Sequence, residues 1–144
     1  MLRLIALLSG LYDTLLGALL LGAADRLAPA FNIPLPTPRV LSDTNGLFLL
    51  CIGIGYVLPL RDPVRYRAYL WIMGPLLKGA GAAIFLLDFL LRGSPAAFLL
   101  FAVTDGILAI WTLEALLRSR RRASDTAPPR GPEPTSPVAP DKPS

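Results

Sequence analysis

The chain has 144 residues, 53% of them hydrophobic, with a mean hydropathy of +0.56 and a formal net charge of +4. It is too apolar for a water-soluble domain of this length, so most of its apolar side chains must face lipid. The lack of histidine and the single cysteine, Cys51, exclude a disulfide, the usual Cys/His zinc set and histidine-ligated haem. Arginines gathered at the ends of apolar segments are a topology signal, not a nucleic-acid footprint.

We read the chain as an all-α membrane protein, a four-transmembrane-helix antiparallel bundle over residues 1–117 with a disordered C-terminal tail over 118–144. The first predicted span covers about residues 4–24, between Arg3 and Asp25-Arg26, with Asp13 as its sole ionisable group. A basic start, an apolar run and Gly22, Ala23 and Ala24 also resemble a secretory signal. A charge inside the run, and the spans that follow, favour a retained helix. Residues 25–43 carry Pro29, Pro34, Pro36 and Pro38 and are predicted to be a loop, with Phe31, Ile33 and Leu35 against the membrane interface or over the helix ends, serving as a plain connector or as a lid over a pocket.

The second predicted span, about residues 44–60, has Gly46, Gly53 and Tyr56 near one face and ends at Pro59. RDPVRYR then reads as a tight turn whose three arginines resist translocation. In the third predicted span, about residues 68–91, a kink is expected at Gly74-Pro75, just before Lys78. Arg92-Gly93-Ser94 is too short to separate its neighbours, which makes spans three and four antiparallel. The fourth, about residues 95–117, carries Asp105 at mid-depth, while Asp88 and Glu114 lie near borders. The tail from Arg118 onward is basic and proline-rich, with little to bury. Eight arginines fall on one side of this topology and three on the other, placing both termini in the cytoplasm.

Three spans place an ionisable residue at similar depth: Asp13, Lys78 and Asp105. Each sits among small residues at helical spacing: Gly10 and Gly17 beside Asp13, Gly74, Gly81 and Ala82 beside Lys78, Ala102, Ala109 and Thr112 beside Asp105. Small stripes pack against other helices, so the charges are expected to turn inward. An unpaired charge at the centre of a span costs about 2.5–3.5 kcal/mol, which a shared site offsets. Two carboxylates and one lysine leave −1, so either an aspartate is protonated or another cation is bound. The alternative is that Lys78 pairs with Asp105 to fix register and Asp13 meets a hydroxyl such as that of Tyr56. Tyr12, Tyr56 and Trp111, near the same stripes, are candidate pocket-lining residues.

No catalytic arrangement emerges: Ser9 and Cys51 lack a histidine to activate them, and two aspartates are too few for a dimetal bundle. No cofactor or metal is expected. YDTLLG, IPLPTP, GIGYVLPLRDPVRYR, Lys78 and Asp105 together resemble a group of small four-helix bacterial inner-membrane proteins over about residues 4–117. In size and layout the chain is also similar to DoxX-like proteins. The resemblance implies a multi-pass protein of the bacterial inner membrane and carries no activity over. The expected role is a non-enzymatic accessory subunit, with a membrane-protein partner or as a homo-oligomer, or a small binder of a lipid or quinone. A proton- or ion-coupled transporter using the same charges is the alternative.

Overall fold

The computed structural model describes residues 1–125 of the chain, with side chains to Arg121. Its elements are α1 (Leu2–Ala30), α2 (Val40–Gly55), α3 (Val57–Arg61), α4 (Arg67–Trp71), a π-helical segment (Ile72–Lys78), α5 (Gly79–Arg92) and α6 (Phe98–Asp125). They form four stretches long and apolar enough to cross a membrane: Leu2–Ala30, Val40–Arg61, Arg67–Arg92 and Phe98–Arg121. Leu11, Leu15, Phe48, Ile84, Leu90 and Ile110 are all more than half exposed on the outer face, while Ser9, Asp13, Lys78 and Thr112 are buried inside. That arrangement inverts the pattern of a soluble domain and suits a hydrocarbon solvent.

Without a hydrophobic driving force between helices in lipid, close backbone packing must hold them. α1 packs chiefly on α2, and α6 on α5 and the π-helical segment, while α1 and α6 join the two halves. On the α1–α2 face, Gly10 meets Tyr56 and Gly53, and further along Gly17 meets Leu50 and Gly46, so the two helices run antiparallel. The spacing is tight: a methyl added at Gly17 would lie 2.5 Å from Leu50 N and 2.6 Å from Gly46 O. α5 and α6 are likewise antiparallel, with Gly79 opposite Ala109, Gly81 opposite Asp105, and Phe85 stacked on Phe98 at 5.8 Å.

Several predicted borders shift. α1 passes Asp25-Arg26 and continues to Ala30, so the loop begins at Phe31 and not at residue 25. The helix is closed by Asn32, whose positive φ of 52° lets Ile33 N donate back to Ala28 O at 2.8 Å, a stop that asparagine can supply in place of glycine. Arg39 ties this loop down by ion pairs to Asp25 and, at 3.7 Å, to Asp43. Phe31 is half-exposed there.

The second crossing begins at Val40 and does not end at Pro59; it continues to Arg61 with a break at Tyr56. Pro59 explains the break, since it has no N–H for the carbonyl of Gly55 and its ring crowds that carbonyl. Tyr56 N instead donates to Gly53 O at 3.2 Å, and the freed Ile52 carbonyl accepts from the Tyr69 hydroxyl at 2.7 Å. The turn that follows is organised by Asp62, whose carboxylate accepts from Val64 N at 3.1 Å and Arg65 N at 3.0 Å.

Gly74-Pro75 lies inside the π-helical segment, which widens the backbone where the proline would crowd the preceding turn. Gly93 ends α5 with φ 68°. The last helix starts at Phe98 and not Pro95, and α6 passes Leu117 to reach Asp125; the remainder of the predicted tail, residues 126–144, lies outside the described residues.

The glycine packing makes a paired prediction. Gly17→Ala forces α1 and α2 apart and lowers stability by about 1–3 kcal/mol, whereas Gly22→Ala meets nothing within 4 Å and is neutral or slightly stabilising. Thermal unfolding in detergent measures both.

Candidate functional site

The site is built from three crossings. Asp13 stands midway along α1, four residues after the buried Ser9 and four before Gly17, on the face that packs inward. Lys78 closes the π-helical segment, and the wider winding of that segment sets the direction in which its side chain leaves the backbone. Gly74, one turn earlier, lets the segment lie directly on α6: a methyl added there would lie 2.5 Å from Thr112 Cγ2. Asp105 faces the same space from α6.

Lys78 Nζ donates to Asp13 Oδ1 at 2.6 Å and to Asp105 Oδ1 at 3.3 Å. The Asp13 and Lys78 side chains are 2% and 5% exposed, whereas that of Asp105 is 16% exposed. One ammonium therefore bridges two carboxylates on separate helices. The Tyr12 ring lies 4.8 Å from Lys78 Nζ and adds a cation–π contact from a third direction.

Hydroxyls surround the charges. Tyr12 Oη approaches Thr104 and Tyr56 Oη approaches Ser9, in neither case with the geometry of a formed hydrogen bond. All three of Ser9 Oγ, Tyr12 Oη and Tyr56 Oη are buried without a partner. Such atoms in a dry interior are costly, and an internal water is their usual partner. Thr112 is satisfied locally, donating to Leu108 O at 2.6 Å, and Thr104 bonds back to Leu100 O.

The residues singled out from the sequence divide. Asp13, Lys78 and Asp105 come together. Tyr12 and Tyr56 are near them, but Asp13 is engaged by Lys78 and not by the Tyr56 hydroxyl. Tyr56 also borders an apolar groove of about 230 Å³ between α1 and the α2–α3 crossing, with Leu7, Leu11, Ile54 and Val57 among its walls. Trp111 is half-buried six residues after Asp105; at about 100° per residue that turns it to a different face of α6. A second groove, of about 440 Å³, lies along Trp71, Ile72, Pro75 and Leu76.

Tyr69 escaped the sequence reading, and Ser9 entered it only as a hydroxyl without a histidine to activate it. Tyr69 packs edge-on to Tyr56 at 5.3 Å and caps Ile52, a role created by the break before Pro59. Ser9 shows only one signal in sequence, its place one helical turn before Asp13.

The two ends of the bundle are chemically different. At one, Arg3 donates to Arg61 O, the end of α3, at 3.3 Å, and Arg67 donates to Leu116 O, within α6, at 2.6 Å. At the other, Arg92 and Ser94 hold Asp88, and Arg39 holds Asp25. No family model, curated protein or solved structure matches the chain.

The unequal hold of Lys78 on its partners makes a stability prediction. Asp13→Asn breaks the short, sealed bond, leaves Lys78 only its longer contact with Asp105 and costs about 2–3 kcal/mol; Asp105→Asn removes the longer contact and costs about 1–2 kcal/mol. Equilibrium unfolding in mixed micelles measures the difference, and equal losses would contradict it.

Proposed function

We propose that this chain is a non-enzymatic component of a bacterial inner membrane, acting as an accessory subunit or as a small binder of an amphipathic molecule such as a lipid or quinone. The observation that carries this reading is the engagement of Lys78 by both aspartates. The ionisable groups at the centre pair with one another across helices, which supports a role in holding three crossings in register. The surface open to a ligand is apolar: the groove beside Tyr56 offers Leu7, Leu11, Ile54 and Val57, walls suited to an acyl or isoprenoid chain.

The inner-membrane assignment and the cytoplasmic termini are supported by arginine placement. Eight arginines, among them Arg3, Arg61, Arg65 and Arg67, fall on the side of the N-terminus, against Arg26, Arg39 and Arg92 on the other. An even number of crossings brings both ends of the bundle to the same side.

Native mass spectrometry of the protein released in mild detergent tests the proposal. The expected result is a retained amphipathic molecule or a partner protein, with ligand retention reduced several-fold by Leu11→Trp, which fills the groove away from the triad. Repeated isolation as a bare monomer overturns it.

The second reading, proton- or ion-coupled transport, is favoured by one observation, the unbalanced charge of the triad. It predicts that Asp105→Asn abolishes a pH-dependent flux in liposomes while the protein stays folded. Unchanged flux in that variant removes this reading.

A further inference from the structure

The triad contains two carboxylates and one ammonium, a formal charge of −1 at the centre of the bundle. A net charge in that position is strongly disfavoured, so the site needs one more positive charge. The aspartates are not equivalent in their ability to take it. Asp13 is sealed and held at 2.6 Å by Lys78, a distance typical of a charge-assisted bond between ionised partners. Asp105 is held at 3.3 Å, its side chain is 16% exposed, and its second oxygen, Oδ2, lies beside Gly81, 3.5 Å from where a side-chain carbon would begin.

We propose that Asp105 carries an exchangeable proton on Oδ2 while Asp13 and Lys78 remain an ion pair. A metal cation is a poorer fit. The ammonium of Lys78 already occupies the position between the carboxylates and repels a second cation, and among the described residues no group of three Asp, Glu, Cys or His is placed to hold a metal. Among the described residues, the charged and titratable groups facing Asp105 are Lys78 from the π-helical segment, Asp13 and Tyr12 from α1 and Tyr56 at the break in the second crossing; from α5, Gly81 lies against its Oδ2. With the proton in place the triad is neutral. The inference concerns the resting charge state, and therefore holds whether the triad is a fixed latch or part of a transporter.

The apolar reagent N,N′-dicyclohexylcarbodiimide tests it in the intact protein. A carboxylic acid adds across its C=N bond, oxygen to carbon and proton to nitrogen, with no leaving group, so a protonated acid within the membrane is labelled. Peptide mapping of the wild type is expected to place the adduct on Asp105 with a preference over Asp13 of about tenfold or more. Asp105→Asn removes the adduct. Asp13→Asn, although it leaves the Asp105 carboxyl intact, strongly lowers labelling there, because a single carboxylate is matched by Lys78 and no longer keeps a proton. An Asp105 that is merely reachable would label equally in that variant, and this result overturns the proposal, as does an adduct on Asp13 or none within the spans. Should Asp13→Asn fail to fold, infrared spectroscopy of the wild type decides: a protonated-carboxyl band at neutral pH, absent from Asp105→Asn, is expected, and its absence from the wild type overturns the assignment.

Discussion

A charge cannot be left facing hydrocarbon, and that constraint shapes this molecule more than any other. Lys78 is held by Asp13 and Asp105, so the first, third and fourth crossings have to meet at one height and in one rotation about their axes. Removing Lys78 leaves two carboxylates unpaired, and removing either carboxylate leaves the ammonium with a single partner. The net gain from such an arrangement is small, because bringing the charges out of water costs about as much as their attraction returns. What it supplies is specificity: greasy helices can pack in many registers, and only one of them lets an ammonium touch both carboxylates.

The second crossing is outside this circuit and is fixed by different means. Its contact with α1 is made by glycine against backbone, with Gly17 on Gly46 and Gly10 on Gly53, close enough that dispersion and weak Cα–H···O contacts replace side-chain interdigitation. The Tyr69 hydroxyl on the Ile52 carbonyl then ties the second crossing to the third where Pro59 has interrupted the helix. Electrostatics therefore organises one half of the bundle and shape the other, with α1 taking part in both.

How much was legible in the sequence follows from the size of each energy. Charged residues inside apolar runs are expensive enough to stand out, and counting residues from the borders placed Asp13, Lys78 and Asp105 at one depth. Their small neighbours indicated that they turn inward. The glycines of the α1–α2 face were visible for the same reason, since small residues in a span mark close approach. Features decided by fractions of a kcal/mol were not legible. The extension of α1 to Ala30 turns on whether Asn32 or an earlier residue closes the helix, and both endings are chemically reasonable. The π-helical winding around Pro75 could be read only as a kink. Trp111 lies next to the inward-facing Thr112 in sequence, but on a helix adjacent residues point about 100° apart, so it takes a different face from Asp105.

The separation of Lys78 from its partners along the chain bears on how the protein is made. A polypeptide threaded into the bilayer from its N-terminus delivers Asp13 first and must shelter that lone acid while two more segments leave the ribosome. Lys78 then arrives and neutralises it, but the last carboxylate comes only with the fourth segment. The charge on the first segment is therefore matched only after the third has been made, which couples tertiary assembly to the completion of the later crossings.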